Sequence, residues 1–398
     1  MEKPVQKIEL TGTEYRVGKI QRYFIYGYFF LAFFEPYLNG TLGAFTKYYI
    51  LFLMSILCWS YKKLRIRLFH WCFLGWLIFK IISSIWTPNS YIPELHLFSQ
   101  IGMIALLIVL TSIPLDNKTI NSIINTMWLG SAVIGVLSLF FSHPYHGTVS
   151  TRQVLYLFGQ EADPNNQAAF LLIGVTIALY NLVTLRRYLL MSAVTIVVNA
   201  FSLFMTGSRG GLVGFICIGL IFLLTAPQRK GIRSKVKLIL IMVFFGGVLY
   251  YLASTFLPDD IFARLFTFSS YEGGSERDVI WANGWKLFSS DLNCFFGAGW
   301  GAYYGFNGIY QAMHNTFLAM LCDVGIIGFI IFFTPIMWAC VKLIKRGNLL
   351  PFLLIICGFI LSFFIEAINK RFFWNVIFLL FIVYVNCLSG RAEVKNGN

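Results

Sequence analysis

Uninterrupted apolar runs recur from one end of this chain to the other, and no other feature restricts its architecture as much. They fall near residues 23–39, 43–60, 68–86, 97–114, 121–141, 166–184, 189–206, 210–226, 238–256, 315–341, 349–367 and 373–389. A helix crossing about 30 Å of hydrocarbon needs about 17–25 such residues. Charged residues make up only 12% of the chain and hydrophobic ones 58%, whereas soluble domains carry about 25% charge. The expected fold is therefore an all-α polytopic membrane protein of about twelve transmembrane helices. Lys3, Lys7, Arg16, Lys19 and Arg22 precede the first run and no small-residue cleavage site follows it, so that run reads as a span rather than a signal peptide.

The net charge of +14 follows the same topology. Twelve spans put both termini on one side. That side collects the basic N-terminal tail, Lys62, Lys63, Arg65 and Arg67, then Lys118, Arg186 and Arg187, the run from Arg229 to Lys237, Lys342, Lys345 and Arg346, and finally Arg391 and Lys395. These are most of the chain's cations, and the positive-inside rule makes their side cytoplasmic. The excess charge thus sets orientation and does not call for nucleic acid. Seven of the cysteines lie in spans and only Cys294 lies in an outward loop, so no disulfide framework is expected.

Inward loops are short and basic, too small to hold a nucleotide-sugar domain. The two long loops, 142–165 and 257–314, face outward. Asp163-Pro164 before the sixth span is a strong helix start, an N-cap followed by proline at the first position. Ser275-Glu276-Arg277-Asp278 fits a capping box. Beyond it, Ile280, Trp281, Trp285 and Phe288 recur at helical spacing as an interfacial stripe. Gly297-Ala298-Gly299-Trp300-Gly301 has the look of a nucleotide loop, but no strand precedes it. A loop allowing close backbone approach is the better reading.

Candidate chemistry begins at Thr206-Gly207-Ser208-Arg209-Gly210-Gly211, where one span ends and the next begins. A helix N-terminus presents unsatisfied N–H groups and positive partial charge, which makes it an anion site. Arg209 and Arg277 both open predicted helices, and a cation set against the helix dipole suggests an anion shared between them. Arg152, Arg264 and Arg371 are further candidates. Lys47 and Lys80 sit near span ends and can snorkel. Lys370, four residues after Glu366, can pair with it along one helix edge. His314 opens the tenth span and can accept a proton near neutral pH. Asp323, about half a helical rotation away, faces some polar partner. His70 and His96 read as packing residues. His143 and His146 have the gap of a metal pair but show no third and fourth ligands, so no metal or cofactor is expected. A Walker lysine loop, a serine nucleophile elbow and paired broken spans are all missing from the pattern, which disfavours ATP-driven transport and inverted-repeat transporters.

In order along the chain come Ser208-Arg209-Gly210-Gly211, Arg277 ahead of Trp281, and His314-Asn315 followed after nine residues by Gly325-Ile326-Ile327-Gly328. This set resembles the O-antigen ligase and polysaccharide polymerase family of bacterial inner-membrane glycosyltransferases over about residues 160–345. Polymerases and ligases share the motif. The resemblance implies a GT-C-like fold with a large extracytoplasmic loop containing short helices. It divides the chain into N-terminal spans (1–160), a core (161–345, with the loop 257–314) and C-terminal spans with a short cytoplasmic tail (346–398). It also implies an undecaprenyl-diphosphate-linked oligosaccharide donor, a glycan acceptor, and an inverting transfer without metal at the outer face of the cytoplasmic membrane. Other polysaccharide-assembly proteins are admissible partners, and nucleic acid is not. On this resemblance Arg209 and Arg277 hold the diphosphate and His314 activates the acceptor hydroxyl. Ser208, Gly210, Gly211, Arg152, Trp281, Asn315 and Arg264 complete the expected substrate contacts. The expectation favours polymerisation of repeat units of a capsule, exopolysaccharide or O-antigen. The alternatives are ligation of finished chains to an acceptor such as lipid A core, a flippase for lipid-linked glycans, or an assembly partner without catalysis.

Overall fold

The computed structural model describes residues 17–42, 45–60, 64–88, 94–113, 115–146, 152–225, 232–266, 277–308 and 311–388. The two ends of the chain, the basic stretches 61–63 and 226–231, and Ser275-Glu276 of the expected capping box lie outside the described residues. In chain order the helices are α1 (Lys19–Leu31), α2 (Glu35–Leu42), α3 (Phe45–Ser60), α4 (Leu68–Ser83), α5 (Glu94–Ser112), α6 (Asn117–Phe141), α7 (Pro164–Leu179) and α8 (Leu189–Met205). They continue as α9 (Arg209–Thr225), α10 (Ile232–Phe256), α11 (Asp259–Phe266), α12 (Arg277–Phe288), α13 (Asn293–Phe296), α14 (Thr316–Lys345), α15 (Leu350–Ser362) and α16 (Arg371–Leu388).

Among the described residues four helices are long and apolar enough to cross a membrane: Asn117–Phe141, Pro164–Leu185, Thr316–Lys345 and Arg371–Leu388. Seven shorter apolar helices accompany them. α7 and nearly all of α16 are buried, their apolar residues running all round the helix. Such helices belong inside a bundle, not on its lipid face. Starts follow local chemistry. Asp163 accepts from the Asn165 and Asn166 amides at 2.9 and 3.1 Å, with Pro164 in the first turn. Asn315 caps α14 by accepting from Phe317 and Leu318.

The all-α expectation needs one correction. Residues 142–161 carry a small antiparallel sheet, β1 (Ser142–Pro144), β2 (Gln153–Leu157) and β3 (Gln160–Glu161), in the order β1-β2-β3. Phe158 and Gly159, at φ +53° and +76°, make the two-residue turn that right-twisted strands require.

α14 is two helices end to end. At Gly325 the backbone leaves helical geometry (φ 59°, ψ −169°), and a Cβ there would strike the carbonyl oxygen of Phe295. The glycine segment 297–301 docks into this break. Ala298 N–H donates to Cys322 O at 2.7 Å and Gly301 N–H to Asp323 Oδ1 at 3.0 Å. Trp300 N–H donates to Ser83 Oγ at 3.1 Å. A Cβ on Gly297 would lie 2.5 Å from the Asp323 carbonyl, so close backbone approach is what these glycines permit.

The same junction corrects the reading of Lys80. Its ammonium does not snorkel: the side chain is 4% exposed and bonds Asp323 Oδ2 at 3.0 Å, with Trp300 and Trp76 rings at 5.0 and 5.5 Å. A second correction concerns residues 363–370, which leave the helix between α15 and α16. Glu366 and Lys370 therefore do not share a helix edge. Thr316 holds this segment by donating to Ile365 O at 2.6 Å and accepting from Ala367 N–H at 2.7 Å. Arg371 is committed to Glu35 Oε1 at 2.8 Å, a structural pair.

Removing one partner of a buried ion pair strands the other charge, at a cost of about 3–5 kcal/mol. Lys80→Ala and Asp323→Ala should each lower Tm in detergent by several degrees. The double variant Lys80→Met/Asp323→Leu should recover most of that loss. Wild-type Tm in both single variants would remove the pair from the fold's support.

Candidate functional site

The turn between α8 and α9 is the hub of an arginine cluster. Gly207 takes φ +58°, and a Cβ on it would stand 3.3 Å from Arg152 Cγ and 3.4 Å from Arg264 Cδ. Three guanidiniums bond to backbone at or beside this turn. Arg152 Nε donates to Thr206 O at 2.9 Å, Arg264 Nε to Gly207 O at 3.0 Å, and Arg209 Nε to Arg264 O at 3.0 Å. Arg152 comes from β2's leading end, Arg264 from α11, and Arg209 opens α9.

Arg277 opens α12 and lies within electrostatic reach of Arg264 and Arg152. Burial, then Arg264, pushes the Arg152 pKa down to about 10. Burial and then Arg209 and Arg277 lower that of Arg264. Burial also lowers that of Arg277, with Asp163 acting the other way. Backbone carbonyls satisfy N–H donors but do not neutralise charge, so the cluster favours a polyanion.

Ser208, Gly210 and Gly211 have packing partners in the structure. Ser208 is fully buried; its hydroxyl donates to Asn165 Oδ1 at 2.8 Å and accepts from Gly211 N–H at 3.0 Å. Asn165 Oδ1 also accepts from Arg152 Nη2 at 3.3 Å, which ties the start of α7 to the arginine turn. A Cβ on Gly210 would meet Phe364 at 2.6 Å, and one on Gly211 would meet Ala168 at 2.9 Å. These glycines let α9 seat closely against α7 and the 363–370 segment.

His314 sits just before α14 at φ +49°, a left-handed conformation unusual for a residue with a Cβ. Its neighbours hold it there. Trp281 Nε1 donates to Met313 O at 3.1 Å, and Asn315 is engaged as the α14 cap. Burial, and then Arg277, lowers the His314 pKa, while Asp163 opposes the change. The imidazole is thus neutral at neutral pH and available as a base.

His314 lines a polar cavity of about 250 Å³ with Asp163, Asn165, Asn166, Glu366 and Lys370. Asn166 Oδ1 is buried there without a hydrogen bond. Beside it an apolar groove of about 520 Å³ is lined by Trp281, Trp285, Phe317, Leu318, Leu321 and Phe363, with Asn315 at its edge. The two spaces have adjacent residues in their walls, His314 with Asn315 and Phe364 with Phe363. A ligand with a polar head and an apolar tail suits that pairing.

Several contributors were not visible as site residues, among them His96, which reads in sequence as a packing residue yet lines the cavity. Asp163 reads in sequence as a helix cap, yet it also lies within electrostatic reach of Arg152, Arg277 and His314. Glu366 and Asn369 reach the cavity because the chain leaves α15 early. The Asp163-Pro164-Asn165-Asn166 run carried the only local signal, polar side chains clustered at a span's first turn. Elsewhere, Glu161 on β3 joins His143 and His146, supplying a third potential ligand that the spacing did not show.

Residues 194–333 match the protein-family model described as O-antigen ligase. No curated protein and no solved structure matches the chain. The matched stretch holds the arginine turn at 206–211, α12, His314 and the Gly325 break, set in a chain of apolar helices. Over residues 194–333 the chain is thus similar to the O-antigen ligase family, within a chain whose helices are long and apolar enough for a membrane protein.

Proposed function

We propose that the chain transfers an oligosaccharide from undecaprenyl diphosphate to an acceptor sugar hydroxyl at the outer face of the cytoplasmic membrane, polymerising repeat units of a surface polysaccharide. One observation carries this: four arginines have overlapping fields, and one of them, Arg277, acts on a neutral, half-buried histidine at a polar cavity that adjoins an apolar groove. The groove suits the polyprenyl tail, the arginines its diphosphate and the cavity the sugars.

In the proposed reaction the acceptor oxygen attacks the anomeric carbon from the face opposite the diphosphate. The new C–O bond forms as the anomeric carbon–phosphate oxygen bond breaks, inverting the carbon. His314 takes the hydroxyl proton. The bonding pair leaves on the phosphate oxygen, where Arg209, Arg264 and Arg277 offset the added charge, a role metal ions fill in many transferases. Arg152 serves as their scaffold, since its Nε and Nη2 are engaged with Thr206 and Asn165. A second reading, ligation of finished chains to a terminal acceptor, is favoured by the matched model's description as O-antigen ligase. Deleting the gene separates them. Single repeat units on the acceptor mean a lost polymerase, and long chains stranded on the lipid carrier mean a lost ligase.

Arg209→Ala and Arg277→Ala should each abolish product while the protein remains folded in the membrane. Arg277→Lys should restore little, because lysine lacks the bidentate fork. Continued chain growth in both alanine variants would end the diphosphate assignment.

A histidine whose pKa is lowered keeps its neutral, proton-accepting form at neutral pH and loses it as pH falls through that lowered value. Transfer should therefore hold its kcat/KM around neutrality and drop only on the acid side, below about 6.5, the ordinary histidine value. His314→Ala should cost about 10²–10⁴-fold in transfer with little change in donor binding. Equal losses in the two would make His314 a binding residue.

Transfer should also survive EDTA within a few-fold. A complete loss restored by Mg²⁺ or Mn²⁺ would place a metal in the chemistry.

A further inference from the structure

We propose that His143, His146 and Glu161 form a Zn²⁺ site on the three-stranded sheet, one that braces the strand end beside Arg152. The register builds it. His143 pairs across strands with Val154, and Tyr156 with Glu161. Paired residues share a face, and so do residues two apart along a strand. His143, Val154, Tyr156 and Glu161 therefore stand on one face, with the His143 ring stacked on Tyr156 at 4.7 Å. The turn after β1 then returns His146 to that face, its ring 4.4 Å from His143.

One donor atom from each of the three lies within 4.8 Å of the others. His146 Nδ1 and Glu161 Oε2 are already 3.3 Å apart. Ligands held tetrahedrally at about 2.0–2.1 Å from zinc stand about 3.4 Å from one another. Two buried atoms at the site lack hydrogen bonds, His143 Nδ1 and Glu161 Oε2. A buried polar atom without a partner is costly, and a cation between them would satisfy both. Two imidazole nitrogens and one carboxylate oxygen are a donor set suited to Zn²⁺, with water completing the shell.

The site joins the end of β1 to β3, on either side of β2, which Arg152 leads. Tyr145, between the two histidines, donates its backbone N–H to Arg152 O at 2.7 Å. Zinc would thus stiffen the segment that bonds Arg152 to Thr206 and Asn165. It would stand apart from the transfer chemistry, which is why transfer in EDTA and zinc binding are separate questions. The importance of Arg152's position rests on the proposed function, but the metal site itself does not.

The test is calorimetric titration of Zn²⁺ into the full-length protein in detergent after chelator treatment and dialysis, with Tm followed in parallel and no glycan present. One saturable site per chain with a raised Tm is expected. His146→Gln, on a side chain 72% exposed, should fold normally and weaken binding at least tenfold. Glu161→Gln and His143→Gln should do the same and abolish the Tm rise. Absence of a saturable site, or unchanged affinity in His146→Gln, would overturn the proposal, the latter by assigning the ion to other histidines or to Cys294. Because binding is read without donor or acceptor, its failure would leave the transfer reading intact, and loss of transfer in the arginine variants would leave zinc binding intact.

Discussion

Four guanidinium groups gather at one end of this bundle, and among the described residues Asp163 is a carboxylate that opposes the repulsion at Arg152 and Arg277. Two like charges about 5 Å apart repel by about 3 kcal/mol at an effective dielectric of about 20. Such a cluster persists only because the surrounding fold holds it. The Thr206–Gly207 carbonyls and the Arg264 carbonyl take the Nε protons, so the arginines are oriented before any ligand arrives. Using Nε for the backbone leaves the forked ends of Arg209 and Arg264 for an anion. A polyanion that enters relieves repulsion and meets donors already in place, which is what the proposed transfer asks of the site.

The positive φ of Gly207 is what lets three chains meet there. Any side chain at this position would contact Arg152 and Arg264 and adopt a disfavoured backbone. The motif Ser208-Arg209-Gly210-Gly211 thus divides its labour. Arg209 joins α9 to α11 through the Arg264 carbonyl, Ser208 ties α9 to Asn165, and the glycines admit Phe364 and Ala168. Three of its four residues shape the site through packing and capping.

Features carried by local signals were legible in the chain. Apolar runs marked the helices, and Asp163-Pro164 marked a start that the structure caps in the same way, whereas Asn315, expected as a substrate contact, is engaged as a helix cap. Arg209 and Arg277 stood out because each opens a helix. What could not be read depends on segments far apart in sequence. Lys80 looks like a snorkelling lysine until Asp323 is brought to it by the docked glycine segment. Glu366 and Lys370 keep helical spacing in sequence, but Thr316 captures the backbone at Ile365 and Ala367 and draws it off the helix. The sheet escaped notice because its turn is Phe158-Gly159, which lacks the asparagine or aspartate of the strongest hairpin signals.

The nine residues between Asn315 and Gly325 have a structural meaning. They form the first segment of α14, a rod about 13 Å long at 1.5 Å per residue. One end carries the cap beside His314. The other ends at the Gly325 break, where the 297–301 backbone and the Lys80–Asp323 pair grip it. Trp281 and Thr316 fix the near end to α12 and the 363–370 segment. Tilting so short a rod at its far end moves its near end by a comparable amount. The buried ion pair therefore bears on where the imidazole sits relative to the arginines, although it touches neither. A misplacement of about 1 Å can cost about 100-fold in a reaction that depends on alignment. An apolar pair of similar size would serve stability as well, so the distinct contribution of the charged pair is the directional bond that fixes this end of the rod.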